Sequence, residues 1–131
     1  MPVFANGDII DAFTAKQALA DSGADGVMVG RGSQGRPWQL AKIAAELSGV
    51  APPAIPNGAA RAEMIIEHYH DMLSFYGLKL GGRNARKHLG WYLDDVECPA
   101  DLRREIMTQA NVERIPALIA TAMSFPERAA A

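Results

Sequence analysis

The sequence lacks several features that would fix its class at once. It has one cysteine, Cys98, in 131 residues, so no disulfide can form within the chain and a reducing compartment is expected. The longest uninterrupted apolar runs are only a few residues, as in Gly26–Gly30, which excludes a membrane-spanning helix. The first residues, MPVFANGD, have neither the basic nor the apolar segment of a secretory signal. These absences together predict a cytoplasmic location.

Neither sign of charge is in large excess. Thirteen basic and fifteen acidic residues give a net charge of −2, so a strongly basic nucleic-acid binder is not indicated, although a local basic patch stays possible. With 49% apolar and 21% charged residues, the chain is expected to be globular and ordered. A complete (β/α)₈ barrel needs about 250 residues, so a barrel pattern in this chain must be part of one.

The composition changes near residue 50, where the chain is expected to divide. Residues 1–49 alternate short apolar runs with helical patterns, and this βαβα order predicts a parallel sheet. Strands are expected at Pro2–Ala5 and at Gly26–Gly30, the second of them buried on both faces because it is continuously apolar. Helices are expected from about Thr14 to Ser22 and after Pro37. Residues 49–58 contain three prolines and two glycines, and a stiff linker is predicted at residues 50–58.

Residues 59–131 show only helical patterns and predict a small antiparallel helix bundle. About four helices are expected, near residues 59–76, 83–95, 101–110 and 112–123, and the alanine-rich end after Pro126 is expected to fray. The first of these helices carries an apolar stripe made of Ile65, Tyr69, Met72, Leu73 and Tyr76.

Glycine-rich turns follow both predicted strands, as Asn6-Gly7-Asp8 and Gly30-Arg31-Gly32. Parallel strands end at the same edge of a sheet, where α/β folds bind ligands. Glycines let backbone amides approach an anion, and Arg31 can donate to a phosphate. Each turn taken alone is explained as well by tight chain reversal, but the two together favour a phosphate site.

A basic segment begins the second helix of the bundle. Arg83, Arg86 and Lys87 lie near a helix N-terminus, where positive charge is unfavourable, and this suggests that a phosphate of RNA binds there. The alternative is a solvated face with salt bridges to Asp94 or Glu63.

Aromatic and histidine side chains give weaker signals. Tyr92 lies on an apolar stripe and is expected to be buried, whereas Trp91 lies at its margin and can either stack on a base or pack in the core. His68 and His70 fall on different sides of their helix, so no metal site is predicted. His88 is expected to be a hydrogen-bonded surface residue.

Five segments, taken together, resemble the tRNA-dihydrouridine synthases, and most closely their bacterial B-type subgroup. Three match the end of that family's TIM barrel and two match its C-terminal helical domain; they are Pro2–Ile9, Gly23–Gly32, Gly35–Trp38, Arg86–Tyr92 and Leu102–Arg103. The resemblance covers nearly the whole chain. It implies an α/β plus all-α fold, in which the last two βα units of a barrel are followed by a helical tRNA-recognition domain.

The resemblance also implies a flavoprotein that uses FMN, with NADPH or NADH as reductant, to reduce the 5,6 double bond of uridine in tRNA. By the family pattern, the positions that hold the phosphate and ribityl end of FMN are Asn6, Gly7, Asp8, Gly30 and Arg31. The helical domain of the family binds tRNA, which supports RNA binding by the basic segment.

The chain also departs from the family pattern. The family's proton-donating cysteine and flavin-contacting lysine belong to earlier barrel strands, and Cys98 matches neither, so no catalytic residue is assigned and the chain alone is expected to be inactive. Exposed barrel edges are expected to allow self-association. Two other readings stay open: a helical RNA-binding or interaction module without flavin, and another FMN-dependent barrel oxidoreductase.

Overall fold

A computed structural model describes residues 1–129 and divides the chain into two compact units, Met1–Ile55 and a second that begins at Pro56. The first unit contains a small parallel sheet and two helices, and the second is helical. Within residues 1–129, no helix is both long enough and apolar enough to cross a lipid bilayer.

The first unit has the βαβα order that the sequence predicts. Strand β1 (Phe4–Asn6) is followed by helix α1 (Ala12–Ser22), strand β2 (Gly26–Met28) and helix α2 (Trp38–Leu47). The strands pair in parallel, with Phe4 opposite Gly26. Both strands are only three residues long, so the sheet serves mainly to bring the loops that follow β1 and β2 to one edge.

Helix α1 begins two residues earlier than expected because Asp11, not a later residue, caps it. The Asp11 carboxylate accepts a hydrogen bond from the Thr14 backbone N–H at 2.8 Å, and the Thr14 hydroxyl in turn accepts one from the Asp11 N–H at 3.1 Å. This reciprocal arrangement is a capping box. The helix ends at Gly23, whose φ of 66° is easily adopted only by glycine.

The expectation that the second strand is buried on both faces is wrong for this structure. Val27 is half-buried and packs against the core formed by Ile9, Ala15 and Ile43. On the opposite face of the two strands, Phe4 is 65% exposed and Met28 is 51% exposed. Within the first unit the helices pack against one face of the sheet and leave the other uncovered, so the strands alternate between covered and exposed side chains.

The second unit contains helix α3 (Gly58–Leu93), helix α4 (Ala100–Thr108) and helix α5 (Ile115–Ala122). Gly77, with φ 77° and ψ 164°, breaks α3 into two helical segments. Two helices were expected here, separated by a gap from residue 77 to residue 82. In the structure the helix is interrupted at Gly77 alone. Gly81 then lies against the first segment, since an added Cβ would come within 2.9 Å of the Leu73 Cα.

The core of the second unit is built from all three helices. Its most buried large side chains are Ile65, Ile106, Ile119 and Val96, and Tyr92 is buried as predicted. Tyr76, expected on the same apolar stripe as Ile65, is 47% exposed because the helix breaks at the next residue.

The chain after Pro126 is held in place rather than frayed, as far as residue 128. The Pro126 carbonyl accepts a hydrogen bond from the Glu97 N–H at 2.8 Å, and the Arg128 N–H donates to the Asp95 carbonyl at 2.7 Å. Residues 130 and 131 of the end that was expected to fray lie outside the described residues. The same segment supplies an ion pair to Arg61, whose side chain is 5% exposed.

Candidate functional site

The loops that follow β1 and β2 form one cavity of about 420 Å³ at the carboxyl edge of the sheet. The structure brings together all five residues that the sequence proposes for the cofactor. The cavity is lined by Asn6, Gly7, Asp8, Ile9, Ile10, Met28, Gly30, Arg31 and Gly32. The two chain reversals therefore face a common space.

Close packing of backbone holds the two loops against each other. Gly32 lies so near the first loop that an added Cβ would clash with the Ile9 carbonyl oxygen and approach the Ile10 Cα to 2.9 Å. The Gln39 side-chain amide, from the start of α2, donates a hydrogen bond of 2.6 Å to the Ile10 carbonyl. Gly32 was assigned only to the turn by sequence, and its role in joining the loops comes from this tertiary contact.

The first loop has a backbone conformation that depends on glycine. Gly7 has φ 131°, and Asp8 follows with φ 50°, a left-handed conformation that is uncommon for a residue with a side chain. This conformation places the Asp8 carboxylate 2.7 Å from Nη2 of Arg31 in the second loop. Asp8 thus links the two reversals electrostatically.

The Arg31–Asp8 ion pair is open to solvent, with side-chain exposures of 82% and 87%. Exposed ion pairs contribute about 0–1 kcal/mol because water screens them. The Arg31 guanidinium can therefore exchange its carboxylate partner for a ligand phosphate at little energetic cost.

The second loop exposes its backbone to the cavity. Its 3₁₀ turn (Arg31–Ser33) is closed by the Ser33 N–H, which donates to the Gly30 carbonyl at 3.1 Å. A Cβ on Gly30 or on Gly7 would meet no atom within 4 Å, so both glycines leave the cavity wall bare.

The groups that line this cavity fit a phosphorylated polyol such as the ribityl phosphate of a flavin nucleotide. Arg31 offers charge-assisted donors for the phosphate, while the Asp8 carboxylate and the Asn6 amide can accept hydrogen bonds from hydroxyl groups. The glycine positions allow the ligand to reach the main chain.

The basic segment of α3 divides between two surfaces. Arg83 and Arg86 line a cavity of about 270 Å³, and Lys79 lines it with them. Lys87, expected to act with the two arginines, lies instead on the wall of a separate cavity of about 920 Å³. The three predicted RNA-binding residues therefore do not form one patch.

The salt bridges considered as the alternative for this segment do not form. Among the ion pairs of residues 1–129, none involves Arg83, Arg86 or Lys87, and Asp94 pairs with Arg103 at 2.9 Å. Tyr69 and Gln109 also line the arginine cavity, and no carboxylate does. Burial raises the pKa of Tyr69 and nearby Arg86 opposes this rise, so its hydroxyl stays protonated as a donor.

Sequence reasoning missed Lys79 and Gln109. The spacing of Lys79, Arg83 and Arg86, four and then three residues apart, would have placed Lys79 on their face had the helix been extended back to residue 78. No local signal indicates Gln109, since it follows α4 and joins the cavity only through folding.

His88 is half-buried, not on the surface as expected. Its ring lies 5.0 Å from that of His68 and 5.0 Å from that of Trp91, each edge to face. Nδ1 of His68 lies 2.9 Å from the Tyr92 hydroxyl, in hydrogen-bonding distance. Burial, and then the neighbouring His68, lower the pKa of His88, so its ring is neutral at pH 7. No group of three or more potential metal ligands occurs within residues 1–129.

Comparison with known proteins gives consistent matches along the chain. The profile of the family described as "Dihydrouridine synthase (Dus)" matches residues 1–127. A "Probable tRNA-dihydrouridine synthase" of Rhodobacter capsulatus is 53% identical over 131 residues, covering 100% of this chain and 39% of the relative. The "tRNA-dihydrouridine synthase B" of Xanthomonas campestris is 44% identical over 103 residues, covering 79% and 31%. The chain thus spans well under half the length of these relatives.

Proposed function

The chain belongs to the dihydrouridine synthase family, and we propose that it supplies the flavin-phosphate site and an RNA-binding surface of a tRNA-dihydrouridine synthase. The observation that carries this proposal is the single cavity shared by the two strand-end loops, with Arg31 at its wall. The relatives named as tRNA-dihydrouridine synthases, one of them of the B type, supply the reaction class.

The cofactor that we propose is FMN. Arg31 holds its phosphate, Asn6 and Asp8 hold the ribityl hydroxyls, and the backbone at Gly7 and Gly30 lets the ligand approach closely. When bound and reduced by NADPH or NADH, the flavin provides the hydride for the 5,6 double bond of uridine in tRNA. The role of this chain is to fix the phosphate end, and thereby the position of the rest of the cofactor.

No residue of this chain is assigned to proton transfer. The chain spans 39% of the Rhodobacter relative, and the cysteine and lysine that the family resemblance implies have no counterpart among its matched motifs. We therefore expect the polypeptide alone, given reduced FMN and unmodified tRNA, to form no dihydrouridine. Dihydrouridine detected by mass spectrometry of the digested tRNA would contradict this.

The RNA-binding surface that we propose is the 270 Å³ cavity lined by Lys79, Arg83 and Arg86. These three cations form no salt bridge within residues 1–129 and no carboxylate lines their cavity, so they attract an anion strongly. Its donors, which include the Tyr69 hydroxyl and the Gln109 amide, suit the oxygen atoms of an RNA backbone phosphate.

Paired titrations with FMN and riboflavin test the flavin site, because the two differ only in the phosphate. We expect the wild-type chain to bind FMN more tightly, and Arg31→Ala to remove the difference. Lys16→Ala, which deletes an exposed cation of α1 outside the cavity, is the matched control and should keep it. Equal affinities of the wild type for FMN and riboflavin would refute the phosphate site.

The two other readings are less favoured. The first was a helical module with a vestigial α/β cap and no flavin; the family match runs over residues 1–127 and therefore includes the α/β unit with both strand-end loops. The relatives are named as tRNA enzymes, not as other flavin-dependent oxidoreductases. A cytoplasmic setting and self-association through the free strand edges stay predictions; sedimentation velocity tests the second.

A further inference from the structure

The largest cavity described in the second unit, about 920 Å³, has no part in the function proposed above beyond containing Lys87. Its volume is in the range of small-molecule sites. Six of its nine lining residues are polar: His68, Asp71, Ser74, Asn84, Lys87 and His88; the others are Met72, Phe75 and Tyr76. This composition differs from that of an apolar groove that docks a helix or a second protein.

Two exposed aromatic rings line this cavity. Phe75 is 82% exposed and Tyr76 is 47% exposed, and their ring centroids lie 4.8 Å apart with an edge-to-face angle of 80°. Both lie immediately before the break at Gly77. Exposed neighbouring aromatics of this kind commonly mark a binding surface.

The cavity also carries groups that read the other parts of a nucleotide. Lys87 supplies a cation that forms no salt bridge in residues 1–129. The Asn84 amide both donates and accepts hydrogen bonds, and the Asp71 carboxylate accepts them, as the polar edge of a base requires. His88 is neutral at pH 7, so its ring adds a flat, uncharged wall.

We propose that this cavity binds one unpaired nucleotide of an RNA strand. The base stacks on Phe75 or Tyr76, its edge meets Asn84 and Asp71, and Lys87 contacts a flanking phosphate. Unpaired bases are the parts of RNA that side chains can reach and stack upon. The inference rests on the proposed function, which makes RNA the partner, and adds a second contact on a surface separate from the arginine cavity.

The test is the binding of a fluorescently labelled single-stranded pentauridylate to the full chain, measured by anisotropy. We expect at least one of the two variants Phe75→Ala and Tyr76→Ala, the one that removes the ring carrying the base, to weaken binding about 5- to 150-fold, since stacking on an aromatic contributes on this scale per base. Lys87→Ala should instead reduce the slope of log K against log salt by about 0.7. Leu80→Ala is the control, because it removes an exposed apolar side chain, 49% accessible, that does not line the cavity.

The aromatic side chains removed are exposed, so the variants should keep the wild-type circular dichroism. The inference is overturned if the wild type does not bind pentauridylate, or if both Phe75→Ala and Tyr76→Ala bind it like Leu80→Ala. It is also overturned if these two aromatic variants change only the sedimentation coefficient, because this surface would then be a contact between copies of the chain. A separate titration with tRNA tests the proposed function. If the wild type does not bind tRNA but binds pentauridylate in a way that depends on Phe75, the proposed function is refuted and the nucleotide site is retained.

Discussion

Gly32 is the position where one methyl group should do most harm to the candidate flavin site. In Gly32→Ala the new Cβ would clash with the Ile9 carbonyl oxygen and lie 2.9 Å from the Ile10 Cα. Both obstacles are backbone, so no side chain can rotate away, and the two loops must move apart. Overpacking of this kind costs about 1–3 kcal/mol. The first unit has a small core, of which Ile9 is itself a member, so it has little capacity to absorb the shift.

Gly30→Ala provides the matched comparison, because it adds the same methyl group to the same loop. Here the Cβ would meet nothing within 4 Å, so Gly30→Ala lacks the backbone clash of Gly32→Ala and should destabilise the first unit less. Gly30 lines the cavity, however, and its methyl would occupy part of the space proposed for the ligand. Gly30→Ala should weaken FMN binding with the fold intact, whereas Gly32→Ala should weaken both.

Hydrogen exchange with mass spectrometry measures the two effects separately in the two units. We expect Gly32→Ala to reduce protection in peptides from residues 1–55 by about 5- to 150-fold, the equivalent of 1–3 kcal/mol, and to leave peptides from α3 unchanged. Equal protection of the first unit in Gly32→Ala and Gly30→Ala would show that the loops do not depend on their close approach. The argument that Gly32 joins them would then fail.

Three further predictions concern the helical unit. Arg61→Ala should lower the free energy of unfolding of the helical unit in urea by about 1–3 kcal/mol, since the Arg61 side chain is 5% exposed and also donates to the Pro56 carbonyl at 2.9 Å. Arg104→Ala, which removes an exposed ion pair, should cost under about 1 kcal/mol, and similar losses in the two variants would contradict the role of burial. Arg83→Ala and Arg86→Ala should each reduce the slope of log K against log salt for tRNA binding by about 0.7 to 0.9, and unchanged slopes would exclude phosphate contacts there. The lowered pKa of His88 means that the unfolded chain binds a proton more readily, so the stability that His88 contributes is complete above about pH 6.5 and is lost as the pH falls through the folded-state pKa. The difference between the free energies of unfolding at pH 7.5 and pH 5 should therefore be smaller for His88→Gln than for the wild type. An equal difference would assign the effect to another group.

The candidate flavin site was predictable from local signals and one rule of topology. Glycine-rich turns mark the two strand ends, and parallel pairing forces Asn6 and Arg31 to the same edge of the sheet. The sequence did not reveal that Asp8 would pair with Arg31, because this contact depends on the left-handed backbone at Asp8.

The helical unit shows that neighbouring glycines can have different structural uses. The expected gap between the helices at 59–76 and 83–95 contains Gly77, Gly81 and Gly82, but only Gly77 has a positive φ. Gly81 is helical and its missing side chain instead permits a close approach to Met72 and Leu73. A local pattern cannot separate these two uses of glycine, since the second depends on a segment eight residues away in sequence.

A chain with a net charge of −2 can still present a strong local positive field, because its charges are distributed unevenly. Several carboxylates are paired with arginines away from the arginine cavity, among them Asp94 with Arg103 and Glu105 with Arg114. Lys79, Arg83 and Arg86 share no salt bridge in residues 1–129 and have no acidic neighbour in the cavity that they line. Overall charge therefore argues only against non-specific RNA binding over the whole surface, and it is compatible with a phosphate held at this one site.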